Sequence, residues 1–126
     1  MLKNILFAFL GSGLGGVTRY LFFMIFRNQP SEGFPYKTLI VNVLGSFLIG
    51  LFYGLAEENI IKNNKTLIFL ATGFCGGFTT FSTFSNDSLM FINQGNYFIF
   101  GIYVLANVLL CLIAVYLGYI ISGLSK

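Results

Sequence analysis

The sequence predicts an all-α integral membrane protein of four transmembrane helices, the third of them broken mid-membrane. Three observations carry this expectation. The composition is 56% hydrophobic and only 9% charged, and the mean hydropathy of +0.84 is too high for a water-facing surface. A hydrocarbon core about 30 Å thick takes roughly 20 apolar residues per helix, so 126 residues hold four spans with short loops, one domain over 1–126 and no second. Finally, the third apolar stretch contains glycines and hydroxyl residues that make a poor lipid-facing helix.

Span one runs from about Asn4 to Phe26. Lys3 and the following apolar residues resemble the start of a signal peptide, but the run continues past Arg19, so an uncleaved span is expected. Arg19 precedes Arg27 by two helical turns, which sets it about 12 Å deeper. Mid-bilayer burial would cost roughly 2.5 to 3.5 kcal/mol on insertion scales. The side chain is therefore expected to snorkel to the interface or to face a watery vestibule. The connector from Arg27 to Lys37 holds the helix breakers Asn28, Pro30, Gly33 and Pro35.

Span two is read from Thr38 to Ala56, followed by the charged connector Glu57 to Lys65. Asn42 and Ser46 stand at i and i+4, and Gly50 and Tyr53 continue that face. Span three is read from Thr66 to Ile92. Its centre contains Gly73, Gly76 and Gly77, then Thr79, Thr80, Ser82, Thr83 and Ser85 interleaved with Phe78, Phe81 and Phe84. Glycines permit the backbone to leave helical geometry where protein surrounds it. A break there frees carbonyl oxygens that suit a hard monovalent cation. The other reading is that glycines allow close packing and hydroxyls bond back to the preceding turn. Asp87, the one carboxylate inside a span, reads as a solvated acid near a helix end. After the turn Asn93, Gln94, Gly95 and Asn96 comes span four, Tyr97 to Leu124, with Tyr103 and Asn107 on one face.

These polar stripes either line a narrow pathway or glue helices together; their coincidence on several spans favours the pathway. Pairs at helix-packing spacing, Gly11 with Gly15, Ser12 with Gly16 and Gly50 with Gly54, allow close approach between spans. Four short helices enclose little volume, so a pathway implies an oligomer. The chain has no His, and Cys75 and Cys111 lack CxxC spacing, leaving no basis for a zinc site or a disulfide framework. No nucleophile and base can be paired, so no catalytic residues and no enzyme are expected. The net charge of +3 comes from scattered residues and points to the lipid bilayer, not to nucleic acid. With four spans, one side carries Lys3, Lys62, Lys65 and Lys126 and the other Arg27 and Lys37, with Arg19 a third if its side chain reaches that interface. So slight a bias leaves one orientation or both open.

The motifs Gly15-Gly16-Val17-Thr18-Arg19-Tyr20, Thr38-Leu39-Ile40-Val41-Asn42-Val43-Leu44-Gly45 and Gly73-Phe74-Cys75-Gly76-Gly77-Phe78-Thr79-Thr80-Phe81-Ser82-Thr83-Phe84 resemble those of the small fluoride channels, called Fluc or CrcB. The third is the most specific. The resemblance covers nearly the whole chain and implies a homodimer of antiparallel, dual-topology subunits in the cell (plasma or inner) membrane. It implies two pores passing fluoride passively out of the cell, which lowers its toxicity. It also implies a structural, untransported sodium ion at the dimer centre, held by backbone carbonyls of Gly76 and Thr79, in a stretch where no charged residue is expected nearby. Asn42, Phe81, Phe84, Ser82, Thr83 and Tyr103 map onto pore positions, with Arg19, Ser46 and Asn107 as possible pore or vestibule residues. Asp87 stands where a glutamate is usual and Asn107 where a small hydroxyl is. The alternative function is a small four-helix proton-coupled or multidrug-type transporter, which would need a central intramembrane carboxylate that this chain lacks. A packing subunit of a larger complex would explain the glycines but not the polar faces.

Overall fold

In the computed structural model, residues 1–27 and 33–123 are described; Asn28 and Pro30 of the first connector and Leu124 and Lys126 at the C-terminus lie outside the described residues. Helix α1 spans Leu2–Ile25 and α2 spans Tyr36–Glu57, starting directly after Pro35. The third stretch is composite: α3 at Asn64–Leu67, a π-helical segment at Ile68–Cys75, α4 at Gly76–Phe78, and α5 at Phe81–Asn93. Helix α6 covers Tyr97–Gly123. Four segments are long and apolar enough to cross a membrane: Leu2–Ile25, Tyr36–Glu57, Asn64–Asn93 and Tyr97–Gly123. Each lies within a turn of the boundaries read from the sequence.

The connectors follow local chemistry. Gly95 takes φ +71° in the tight turn before α6, a left-handed conformation that favours glycine. Asn63 caps α3, its side chain accepting from the Lys65 backbone N–H.

The spans pair in parallel, α1 with the third and α2 with α6. A Cβ at Gly11 would strike the Phe69 carbonyl and one at Gly15 the Phe74 carbonyl, while Gly77 lies on the backbone of Ser12 and Gly16. On the other pair, Gly50 meets the Val115 carbonyl and Gly118 the Phe47 carbonyl. Backbone-to-backbone approach of this kind is what small residues permit in lipid, where packing replaces the hydrophobic effect as the force between helices. The core is correspondingly thin, with Val41, Ala71, Cys75, Phe78, Phe91, Tyr103 and Ala114 as its buried apolar members. Large side chains such as Leu6, Phe9, Leu105 and Ile113 stand outward, as a lipid-facing surface requires.

The third span does break, but not at its paired glycines. Gly76 is helical, with φ −63° and ψ −36°. The extended residues are Thr79, with ψ 160°, and Thr80, with φ −149° and ψ 107°. β-branched residues tolerate extended backbone well. Thr80 also restarts the chain as the cap of α5, its Oγ1 accepting from the Thr83 N–H at 3.2 Å. Gly73 and Gly77 instead serve the contact with α1, while a Cβ at Gly76 would meet nothing. The π-helical segment before them had no counterpart in the sequence reading.

Candidate functional site: a polar cleft at the helix break

Asn42, one and a half turns into α2, faces the break and treats Thr80 as a strand neighbour would. Its Oδ1 accepts from the Thr80 N–H at 2.8 Å, and its Nδ2 donates to the Thr80 carbonyl at 3.3 Å. The Thr80 N–H would otherwise continue the helix onto Gly76, so this bond deprives the Gly76 carbonyl of its i+4 donor. Both polar groups of the extended residue are thus satisfied inside the protein, which is the condition for irregular backbone at membrane depth.

The second hydrogen of the Asn42 amide goes to Asn107 on α6, Nδ2 to Oδ1, at 3.2 Å. Asn107 in turn donates from its own Nδ2 to the Tyr103 carbonyl, one turn earlier, at 3.0 Å. Around this amide pair lies a cleft of about 280 Å³, lined by Asn42, Ser46, Thr79, Thr80, Phe81, Phe84, Asn107, Val108 and Cys111. The Phe81 and Phe84 rings stand 5.3 Å apart at 48°. Phe81 is 78% exposed. The cleft is therefore open on one side, and one of its aromatic walls has no covering within the chain.

Of the residues singled out in the sequence, Asn42, Ser46, Phe81, Phe84 and Asn107 come together here with Thr79. Ser82, Thr83 and Tyr103 do not line the cleft. Thr83 Oγ1 accepts from Thr80 Oγ1 at 2.9 Å, and Ser82 Oγ lies 3.3 Å from the same hydroxyl, so both belong to the α5 cap. Tyr103 is fully buried behind Phe84, with ring centroids 5.3 Å apart, and beneath the edge-on ring of Phe34. Its hydroxyl donates to Asp87 Oδ2 at 2.9 Å, beside Thr38 Oγ1 donating to the same oxygen at 2.8 Å. Asp87 is thus no solvated helix-end acid. Two hydroxyls compensate the carboxylate where α2, α5 and α6 meet. The sequence reading gave Thr38 no site role, placed Thr80 only among the hydroxyls of the third span, and did not bring Thr38 or Tyr103 to Asp87. One turn of extension would have reached Thr38, which stands at i−4 from Asn42 just as Tyr103 does from Asn107.

Arg19 is half-buried beside the break. Its Nη1 donates to the Thr79 carbonyl at 2.8 Å. The expectation that no charge lies near that carbonyl is corrected by this contact. Arg19 and Thr79 are 60 residues apart in the chain, and only the parallel packing of α1 on the third span brings them together. Gly76 is exposed, with open space where a Cβ would stand. Among the described residues no group of three or more His, Cys, Asp or Glu could hold a metal, and no buried side-chain nitrogen or oxygen lacks a partner.

A bundle of four apolar spans, with its polar groups gathered at a helix break and open to one face, defines a multi-pass membrane protein with an intramembrane polar site. The chain belongs to the CrcB family: the family model described as CrcB-like protein, Camphor Resistance (CrcB), matches residues 6–119. It is similar to the fluoride-specific ion channel FluC of Phocaeicola vulgatus, 45% identical over 117 residues that cover 93% of this chain and 96% of the relative. Another protein of that name, from Bacteroides fragilis, is 46% identical over 93% of this chain and 94% of its own. A third, from Campylobacter lari, is 43% identical over 96% and 98%. With relatives named as ion channels, the chain is not an enzyme.

Proposed function

We propose that the protein is a fluoride channel that lets fluoride run down its gradient out of the cell and so limits its toxicity. The observation that carries this reading, beside the names of the relatives, is the cleft, where two carboxamides, a hydroxyl and two phenylalanine rings share one wall. Fluoride is small and strongly hydrated, and a pore must replace its water with close donors. Asn42, Asn107 and Ser46 offer N–H and O–H groups, and the rims of Phe81 and Phe84 carry the positive edge of the aromatic quadrupole. Thr83 and Tyr103 act behind this wall, holding the break and the α5–α6 contact, while Ser82 stands on the exposed side of α5 with its hydroxyl 3.3 Å from that of Thr80. Arg19 adds positive potential at the break without entering the cleft.

The working unit is an antiparallel homodimer. The open side of the cleft and the outward Phe81 ring call for a second copy, and the near balance of Lys and Arg on the two sides permits insertion both ways. A structural sodium ion fits the same assembly. The Gly76 carbonyl has lost its helical donor, and the Thr79 carbonyl keeps one lone pair after accepting from Arg19. Two copies would therefore present four neutral oxygens to a hard cation. The nearby guanidinium weakens such a site, so sodium should be held less tightly than four free carbonyls would hold it. Withholding sodium during reconstitution should lower flux, whereas a sodium gradient should not drive it. Flux proportional to a sodium or proton gradient would instead make the protein a coupled transporter.

The deciding measurement is anion efflux from liposomes that contain only this protein, fluoride against chloride. Fast fluoride loss with chloride retained is expected. Equal loss of both ions, or none of either, would overturn the reading.

A further inference from the structure

The Thr79 carbonyl and the Thr80 N–H belong to one peptide group, and its two ends are held from different helices. Arg19 on α1 donates from Nη1 to the oxygen at 2.8 Å, and Asn42 on α2 accepts from the N–H through Oδ1 at 2.8 Å. Thr79 itself is pinned: its N–H and its Oγ1 both donate to the Cys75 carbonyl at 2.9 Å, and its methyl stands where a Cβ at Gly45 would fall. The peptide plane beyond it still turns about Thr79 ψ and Thr80 φ, so the two outer bonds set its direction. Arg19 is half-buried, and among the described residues no carboxylate pairs with it. Its charge therefore acts on the Thr79 oxygen uncompensated. Thr79 also lines, with Gly76, a second groove of about 270 Å³ that is separate from the cleft.

We propose that Arg19 is a positioning residue that stands in for the sodium ion: it holds the 79–80 peptide by its oxygen when no metal is bound there, and it competes with sodium for that oxygen. This rests on the sodium reading above. A cation on the oxygen polarises the peptide and strengthens donation from the Thr80 N–H to Asn42. The guanidinium does this from within the chain, so a copy without metal keeps its helix break. Sodium offered to the same oxygen meets a like charge across a single atom, and charges so placed repel. Taking the guanidinium away therefore has two opposite consequences. Without sodium, the Thr79 carbonyl loses its donor at membrane depth, where no water replaces it, and the peptide is free to turn away from Asn42. With sodium, the ion finds an oxygen with both lone pairs free and no like charge beside it, and is held more tightly. An arginine that served only to pack α1 on the third span would give neither result, since its loss would weaken sodium binding along with the fold.

The test uses the full chain purified in detergent, as wild type and as Arg19→Met, Arg19→Gln and Arg19→Lys. Sodium replaces potassium at constant ionic strength while the Tm is followed, since an ion that binds only the folded state raises it. Arg19→Met should reach half of its rise at a sodium concentration at least about tenfold below that of the wild type. Arg19→Lys, which keeps the charge, should stay within about threefold of the wild type. Arg19→Gln, neutral but still a donor, should shift in the same direction as Arg19→Met and carries the comparison if the methionine variant does not fold. The accompanying measurement is the ¹⁵N amide signal of Thr80. In potassium it should move in Arg19→Met, and saturating sodium should bring it back toward its wild-type position. A sodium requirement that is unchanged or raised in the neutral variants overturns the proposal, as does a Thr80 signal that Arg19→Met leaves unmoved in potassium. Absence of any sodium effect in the wild type and in every variant would overturn the sodium reading and the competition with it, whereas an equal effect in all of them would overturn the role of Arg19 alone.

Discussion

Phe81 and Phe84 are both phenylalanines three residues apart, yet their surroundings differ, and so do the costs of changing them. Phe81 projects from the protomer, whereas Phe84 is held between Phe81 and Tyr103. Isoleucine keeps most of the bulk and removes the positive ring edge. Phe81→Ile should leave folding intact and cut fluoride flux by at least about tenfold, the size expected when one favourable contact to a charge is lost. Phe84→Ile should cut flux similarly, with a further loss of about 1 kcal/mol of stability from the broken aromatic pair. Liposome efflux and gel filtration check both, and unchanged flux in the two variants would remove the rings from the anion's path. Asn42→Asp tests the sign of the local field. The carboxylate can still accept from the Thr80 N–H, so the break should survive, but it can no longer donate to Asn107 or to the Thr80 carbonyl. Fluoride flux should be blocked while the protein elutes as before.

Helix boundaries were legible in the sequence because lipid imposes length and hydropathy, and α1, α2 and α6 obey both. The third span was legible only in outline. Its composition announced a break and a set of hydroxyls, but which residues leave the helix depends on partners far away in the chain. Asn42 captures the Thr80 N–H from another helix, and two of the glycines that could have broken the span, Gly73 and Gly77, are occupied by packing on α1. The same remoteness hid the Arg19 contact and the hydroxyls around Asp87. Within the packing of α1, one pair of glycines separates conformation from space. A methyl at Gly15 would run into the backbone at Phe74 and Phe78, while one at Gly13 meets nothing within 4 Å. Gly15→Ala should therefore destabilise the fold by about 1 to 3 kcal/mol through overpacking, backbone being unable to move aside as a side chain could. Gly13→Ala should stabilise it by up to about 1 kcal/mol, since alanine favours the helix. Thermal unfolding in detergent checks the contrast, and equal effects of the two would mean that α1 does not rest on the third span as closely as its backbone contacts require.

On the scale of the whole molecule, the outward apolar surface is interrupted by the polar cleft, which opens onto it next to the exposed Phe81. A polar groove facing acyl chains would leave its amides with poor partners. A second copy closing the groove removes that cost, and two copies related by a twofold axis in the membrane plane would close two grooves at once. Such a pair needs subunits of both orientations. Lys3, Lys62, Lys65 and Lys126 against Arg27 and Lys37, with Arg19 at the break, supply no strong preference, and carboxylates such as Glu57, bonded to the Tyr119 hydroxyl, count little in orientation. A cysteine appended to the C-terminus should therefore be labelled by an impermeant thiol reagent in roughly half of the molecules in intact cells, and in nearly all after permeabilisation. Adding three lysines to the second connector, between Glu57 and Lys65, should bias insertion to one side, lower the labelled fraction accordingly and reduce fluoride flux, because same-facing copies cannot pair. Co-expression with a variant carrying the lysines in the first connector should restore flux. If the wild-type chain is labelled on one side only and the lysine variant remains fully active, the dimer is parallel and the two open clefts close in some other way.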